Sequence, residues 1–258
     1  MNGAYKMNKI EIKILNPEAI TSSERMMVCA ARLTQRGESI TNMNDFMELY
    51  NRGASDVLKE SLINLPHPTL QKFGVINIVI VGASRRFLAQ ITRHQNEVKF
   101  MSASLQYSNY SGKSQFTVPY SILKKGKEAV WDYQARCFAA MENYQKLMDE
   151  GESNDTAGYV APQGLRNVLI ISATPFQWKH IINQRTCNRN TEETQYVMLR
   201  VWEELYQQNP ILFSNCGPSC SLDGCKEQKM KCGDPFLIFD RNPSSFISAK
   251  FPYLVNGE

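Results

Sequence analysis

A cluster of polar side chains follows directly on the apolar run 75–82 (VINIVIVG), and its residue types suit nucleotide binding. Gln90, Arg93, His94 and Gln95 lie within six residues of one another. A guanidinium binds a phosphate through two parallel hydrogen bonds, and an amide can pair with the edge of a nucleobase. A solvated helix end, in which cations offset the helix dipole, is the alternative. Because the cluster begins where the chain leaves a buried strand, we expect it to meet an anionic ligand.

Two further positions carry residue types that could serve such a ligand. Arg185 follows two isoleucines at 181–182, which predict that its helix is partly buried. A buried arginine needs an anion or an acceptor, so Arg185 is a candidate binding residue, with a surface arginine as the alternative. His67 and Thr69 stand in LPHPTLQKF, where a structural histidine and a turn-forming threonine are the simpler explanations.

Common phosphate-binding and nucleophile motifs are missing from the sequence. It contains no G-x-G-x-x-G, no G-x4-G-K-[ST] and no G-x-S-x-G. No cysteine stands in the Pro-Cys-His context of a nucleophile that adds to C6 of a pyrimidine. Any pyrimidine chemistry at this site would therefore proceed without a cysteine adduct.

Four of the seven cysteines, Cys216, Cys220, Cys225 and Cys232, lie close together near the C-terminus. In a reducing cytosol, clustered thiols indicate a metal site or free thiols more than disulfides. Their C-x3-C-x4-C-x6-C spacing lacks the paired C-x2-C units of common zinc sites. Zinc binding and a tail of free thiols both remain open, and we assign no metal ligand from the sequence.

The composition is that of an ordinary soluble globular protein. Of the 258 residues, 43% are hydrophobic and 21% are charged. The net charge of +4 suits an anionic ligand but is too small for a protein that binds a nucleic acid polymer. No apolar run approaches the roughly 20 residues of a membrane helix, and the N-terminus has no apolar signal-peptide core. We therefore expect a cytoplasmic protein without a membrane partner.

Helical and strand patterns are mixed along the chain without strict alternation, which favours an α+β fold over a doubly wound sheet. We expect a domain over 1–210 and a cysteine-containing C-terminal extension over 211–258. Thr174 followed by Pro175 predicts a helix start, and Glu193 three residues after Asn190 resembles a capping box. Strand patterns cover 9–15 and 75–81, an apolar run covers 165–174, helical patterns cover 22–34, 55–65, 84–95, 121–149 and 190–208, a strand or loop pair covers 99–120, and a polar loop covers 149–158.

Taken together, the motifs resemble the flavin-dependent thymidylate synthase family. The signature of that family is Arg-His-Arg, seven residues and Ser, and here the segment reads RHQNEVKFMSAS, with Gln95 for the last Arg and eight residues before Ser104. The matches run in the family's order from about residue 25 to about residue 233. The other similar segments are AARLT (30–34), HPT (67–69), AQITRH (89–94), HIINQR (180–185) and the cysteine-rich CGPSCSLDGCKEQKMKCG (216–233).

The resemblance implies an α+β fold with a mixed sheet and flanking helices, assembled as a homotetramer with active sites between subunits. It also implies FAD as the cofactor, NADPH as the reductant and methylenetetrahydrofolate as the donor of a methylene to C5 of dUMP, with a flavin hydride completing the methyl group of dTMP. A guanidinium beside the uracil would favour negative charge on the ring and raise the electron density at C5, so that no cysteine is needed.

The same resemblance assigns residues to the ligands. Arg185 would contact the uracil and act as the catalytic residue, and His67 and Thr69 would reach FAD from another subunit. The FAD-binding residues would be His67, Thr69, Arg93, His94, Gln95, Thr174 and His180. The dUMP-binding residues would be Gln90, Arg93, Ser104, Gln106 and Arg185.

Several positions differ from the family pattern and bear on the identity of the nucleotide. Gly158 stands where the family has an arginine that holds dUMP, Ser102 and Gln106 replace a Glu and an Arg, and Thr174 replaces an Asn. These differences remove charges that would pair with phosphate and base. Hydroxymethylation or modification of another pyrimidine nucleotide, and a non-catalytic nucleotide-binding homologue, therefore stay open beside the methyltransferase.

Overall fold

A computed structural model describes residues 9–112, 115–236, 238 and 240–255 of the chain. Helices surround one small sheet, which confirms the expected α+β class. The four strands are ordered β1-β2-β4-β3, and every pairing is antiparallel, where a mixed sheet was expected. The strands are β1 (Glu11–Ile14), β2 (Ile76–Ser84), β3 (Val98–Ser102) and β4 (Arg166–Ala173).

The two central strands of the sheet, β2 and β4, form its longest pairing. Ile76, Ile78 and Ile80 are fully buried on one face, as the period of two in a strand requires. The register shifts at Gly82, which has a φ of 92°, so that a bulge bends the end of β2. A Cβ at this position would lie 1.7 Å from Nη2 of Arg166, so only glycine leaves room for the Arg166 side chain. The bulge therefore helps to set how β2 leads into the following helix.

Most predicted helices are present with ends shifted by a few residues. The polar stretch 149–158 is not all loop, because the Ser153 hydroxyl accepts a hydrogen bond from the amide of Thr156 at 3.1 Å and caps a short helix. The α-helices are α1 (Glu18–Arg36), α2 (Met43–Asn51), α3 (Asp56–Ile63), α4 (Arg85–Ile91), α5 (Tyr120–Leu123), α6 (Lys127–Asp149), α7 (Asn154–Gly158), α8 (Pro175–Arg185), α9 (Glu192–Gln208), α10 (Pro243–Lys250) and α11 (Pro252–Val255). Short 3₁₀ turns span Gly37–Ser39, Pro68–Gln71, Ser219–Ser221 and Gln228–Met230.

The main core lies between the sheet and the helices α1, α8 and α9. Trp178 and Trp202 are fully buried in it. Both satisfy their indole N–H groups internally, Trp178 by donating to the carbonyl of Ile76 at 3.1 Å and Trp202 to that of Phe213 at 3.0 Å. A smaller cluster, centred on Tyr144, packs α6 against α7.

The chain beyond residue 210 packs into the same core. Phe213, Phe246 and Phe251 are almost completely buried there, and α10 lies against α9. The division of the chain at residue 210 stays a prediction. Among the described residues, no helix combines the length and the apolar character needed to cross a membrane.

Candidate functional site

The turn after α4 meets the end of α8, and this contact brings together residues that lie far apart in the sequence. Ser84 caps α4 by accepting from the amide of Phe87 at 3.1 Å, and Thr174 caps α8 by accepting from that of Gln177 at 3.3 Å. The predicted start of α8 is confirmed. Helix α4 ends at Ile91, so Arg93 follows it in a turn, whereas the helical pattern over 84–95 predicted a longer helix.

His94 and Arg185 form the central contact of the site. Nε of Arg185 donates to Nε2 of His94 at 2.8 Å, and His94 is buried with 7% of its surface exposed. Burial, the Arg185 charge and the nearby His180 lower the pKa of His94 to about 4. A histidine that accepts at Nε2 must be neutral there, so the hydrogen bond and the lowered pKa agree. Neutral His94 orients the guanidinium without adding a second charge.

His180 lies on α8 one turn before Arg185 and faces the same histidine. The His94 and His180 rings meet edge to face with centroids 6.0 Å apart. Burial lowers the pKa of His180, and its Nε2 lies 3.0 Å from the side-chain amide nitrogen of Gln184. The structure therefore brings two of the predicted flavin-binding residues together, and His94 contacts both His180 and Arg185.

Residues before and at the start of α9 hold this arrangement from the other side, and the sequence analysis did not identify them as site residues. Oδ1 of Asn190 accepts from Nη1 of Arg185 at 3.2 Å. Oε1 of Gln90 accepts from the Thr194 hydroxyl at 2.6 Å and from the Thr191 hydroxyl at 3.2 Å. Since the carbonyl oxygen of Gln90 is used, its amide N–H groups are what it can offer a ligand.

The capping box expected at the start of α9 is wrong. Thr191, not Asn190, accepts from the helix, at 3.3 Å from the amide of Thr194. Glu193 instead reaches across to Ser84, whose amide and hydroxyl donate to its carboxylate at 2.7 and 2.5 Å. Burial raises the pKa of Glu193, and the bonds from Ser84 oppose that shift. This contact fixes the start of α4, the helix that carries Gln90.

Two guanidinium groups at the site lack acidic partners. Neither Arg93 nor Arg185 forms an ion pair with an acidic side chain of the described chain. Burial and, second, the charge of Arg93 lower the pKa of Arg185. Two neighbouring cations without an anion form a site that an anionic ligand would stabilise.

These guanidinium groups line a cleft of about 920 Å³ whose opposite wall is the segment 219–235. Cationic residues outnumber acidic ones in this lining, which favours an anionic occupant. The cationic lining residues are Arg93, Arg185, Arg189, Lys226 and Lys231, and the acidic ones are Glu227 and Asp234.

Of the predicted site residues, Arg93 and Arg185 line this cleft and the others do not. His67 and Thr69 are exposed on the 3₁₀ turn before β2, and Gln95 is exposed in the turn after α4. An ion pair between Lys72 and Glu97, at 2.9 Å, links these two turns.

Ser104 and Gln106 follow β3, where the Ser104 hydroxyl accepts from the amide of Gln106 at 3.0 Å. The hydroxyl of Thr174 serves as the cap of α8. The assignment of these residues to ligands stays a prediction, as does that of the residues at the cleft.

Gly158, at the end of α7, lies beside the segment that follows β3. A Cβ at this position would lie 3.2 Å from Cβ of Leu105. A larger side chain here would have to push Leu105 aside. Gly158, where the resemblance implies an arginine in the family, therefore lies next to the segment that carries Ser104 and Gln106.

Comparison with protein families gives one match over most of the chain. The sequence model of the family described as thymidylate synthase complementing protein matches residues 18–211. A protein named flavin-dependent thymidylate synthase from Geobacter sulfurreducens is 24% identical over 213 residues, covering 81% of this chain and 89% of that protein. A protein of the same name from Sulfurisphaera tokodaii is 29% identical over 149 residues, covering 55% of this chain and 54% of that protein.

Two solved structures share the fold. A UMP/dUMP methylase, PolB, from Streptomyces cacaoi, bound with 5-Br dUMP, superposes with a TM-score of 0.63 at 19% identity, covering 80% of this chain and 93% of that one. Thymidylate Synthase X from Helicobacter pylori, with FAD and dUMP, gives a TM-score of 0.60 at 18% identity, covering 81% of this chain and 99% of that one. At these identities the likeness concerns the fold.

Proposed function

The chain belongs to the thymidylate synthase complementing protein family, and on that premise we propose that it is a flavin-dependent thymidylate synthase that converts dUMP to dTMP with FAD as its cofactor. Its carbon donor is methylenetetrahydrofolate and its reductant is NADPH. The relatives from Geobacter sulfurreducens and Sulfurisphaera tokodaii, which carry that name, support the proposal. So does the resemblance of the motifs at 30–34, 67–69, 89–104 and 180–185.

The observation that carries the proposal is the pair of guanidinium groups, Arg93 and Arg185, that face one cleft without an acidic partner among the described residues. FAD and dUMP both present phosphate groups, which are the anions that arginine binds best. The cleft volume of about 920 Å³ suits a ligand of this size. The residues present therefore fit FAD and a nucleotide.

Arg185 is the residue that we assign to activation of the uracil. Its Nε and one Nη1 hydrogen are held by His94 and Asn190, which leaves the other N–H groups of the fork to donate to a ligand. A fixed cation beside the ring stabilises negative charge on it and raises the electron density at C5. FAD, when bound and reduced by NADPH, would supply the hydride. No thiol adduct is needed.

The proposal is tested on the purified full-length chain. We expect a flavin absorbance spectrum, release of FAD on denaturation, and formation of dTMP from dUMP, methylenetetrahydrofolate and NADPH. A colourless preparation that takes up no flavin from added FAD would overturn the proposal. Omitting NADPH or the folate one at a time tests the reductant and the carbon donor separately.

We further propose that the enzyme is a homotetramer whose active sites lie between subunits. Support comes from His67, Thr69, Ser104 and Gln106, which lie outside the cleft of their own chain and would complete the site of a neighbour. Light scattering after size-exclusion chromatography should give four times the mass of the chain. Inactive His67→Ala and Arg185→Ala variants, mixed so that subunits exchange, should recover part of the activity if sites are shared, and no recovery contradicts the proposal.

A second candidate function keeps FAD and folate but changes the nucleotide or the group transferred. The absence of a cation at Gly158, where a side chain would press on Leu105, favours it, together with the uncharged Ser102 and Gln106. Mass spectrometry of the product decides. A gain of one methyl group by dUMP excludes this candidate, whereas a hydroxymethyl product or turnover of another pyrimidine monophosphate supports it. NADPH oxidation that depends on bound FAD and dUMP would exclude a non-catalytic homologue.

A further inference from the structure

Four cysteines line the cleft, and they are not the four that cluster in the sequence. Cys220, Cys225 and Cys232 belong to the segment 219–235, and the fourth is Cys187, just after α8. Cys216, which the sequence groups with the last three, is buried in the core with 1% of its surface exposed and does not line the cleft. The group of four cysteines at the cleft therefore contains Cys187 where the sequence cluster contains Cys216.

Three of these four sulfurs accept a hydrogen bond from a backbone amide. The amide of Phe236 donates to Cys220 Sγ at 3.3 Å, and that of Asp234 donates to Cys232 Sγ at 3.4 Å. Burial raises the pKa of Cys187, and a hydrogen bond from the amide of Arg189 to this thiol opposes that shift. Amide donors of this kind orient sulfur ligands in metal sites.

The charges around the four thiols suit a metal–thiolate group. One Zn²⁺ with four thiolates carries a net charge of −2 and needs nearby cations. The two acidic residues of the cleft are already paired, Glu227 with Arg189 at 2.9 Å and Asp234 with Lys250 at 3.2 Å. This leaves Lys226 and Lys231 of the cleft lining to balance a metal–thiolate anion.

The thiols share the cleft but do not converge on one point. No group of three or more His, Cys, Asp or Glu side chains in the described parts of the chain has metal-ligand geometry. The segment 219–235 contains only short 3₁₀ turns and irregular backbone, with Gly224 and Gly233 at positive φ. Closing the site would therefore require movement of the exposed Cys225 and Cys232 toward Cys187 and Cys220, which are partly buried.

We propose that Cys187, Cys220, Cys225 and Cys232 bind one Zn²⁺ in a structural tetrathiolate site. Binding releases the thiol protons and forms four Zn–S bonds, with no change of oxidation state. The site fastens the segment 219–235 to the end of α8, and so holds the outer wall of the cleft over Arg93 and Arg185. The proposal rests on the thiols and does not depend on the proposed function.

The test is zinc content by mass spectrometry of the full-length chain, purified without chelators. We expect close to one Zn²⁺ per chain, and Co²⁺ in its place should give the visible and charge-transfer bands of a tetrahedral thiolate site. Cys225→Ser is the first variant, because Cys225 is exposed and its replacement leaves the core intact. It should lower the zinc content at least about tenfold, and Cys187→Ser should do the same.

Cys137→Ala and Cys216→Ala are the matched controls, since both residues are buried away from the cleft and should leave the zinc content unchanged. The proposal is overturned by a folded chain that holds well under one Zn²⁺ and takes up none from added zinc sulfate. It is also overturned if Cys187→Ser keeps its zinc, or if peptide mapping of the native chain shows a disulfide that includes Cys187.

Discussion

Replacing Lys179 by methionine should stabilise the protein, because Lys179 is a buried cation without a hydrogen-bond partner among the described residues. It lies on α8 with 6% of its surface exposed, and its Nζ makes no hydrogen bond to a described residue. Burial lowers its pKa from 10.5 to about 8, a shift that the nearby Cys216 opposes. Methionine keeps the length and flexibility of the chain and removes the charge.

The size of the effect follows from the shift. One pKa unit corresponds to about 1.4 kcal/mol, so the charged amine costs about 3 kcal/mol at pH 7. We expect Lys179→Met to raise the free energy of unfolding by about 2–3 kcal/mol at that pH. Because the folded pKa lies below the unfolded one, the unfolded chain holds more protons between pH 8 and 10.5. The stability of the original protein should therefore rise with pH in that window, and the advantage of the variant should shrink.

Urea unfolding followed by tryptophan fluorescence at pH 7 and at pH 9.5 measures both quantities. Lys146→Met is the matched control, because Lys146 is exposed on α6, and it should change the stability by less than about 0.5 kcal/mol. A Lys179→Met variant that is less stable than the original at pH 7, or whose advantage is the same at both pH values, would refute the reasoning.

Three other predictions concern the site and the sheet. Arg185→Ala should lower kcat at least about 100-fold while the purified protein keeps its flavin, whereas Arg93→Ala should weaken FAD binding about 10- to 100-fold; turnover within a few-fold of the original would contradict the role of Arg185. Acid should destabilise the fold as pH falls from 6.5 to about 4, because the unfolded chain binds a proton that His94, beside Arg185 and His180, does not. Since solvent screens part of this effect, we expect the free energy of unfolding to fall by about 1–2 kcal/mol. The urea midpoint of the original protein should fall over this pH range, whereas that of His94→Gln should change little. Gly82→Ala should cost about 1–3 kcal/mol of stability, because of its φ of 92° and the displacement of Arg166; an unchanged Tm would count against the bulge.

Local features were predictable from the sequence because their causes lie within a few residues. The Thr174-Pro175 pair marks the start of α8, since an N-cap acts on amides two or three positions later. Alternating isoleucines over 9–15 predicted β1, a continuous β-branched run over 75–81 predicted β2, and mixed patterns predicted the α+β class. The predicted capping box at Asn190 was wrong, because two adjacent polar residues could each cap α9 and it is Thr191 that does so.

The sequence by itself determined which residue types stand next to one another, and hence the helices, the strands and the order of the motifs. Only the tertiary structure decided which distant side chains meet. It brought His94 to Arg185 across 91 positions, and it brought Glu193 to Ser84. It also buried Lys179 and placed Cys187, not Cys216, among the thiols of the cleft. Such contacts depend on how helices pack on a sheet of fixed register, and that packing minimises the free energy of the whole chain and of no single segment.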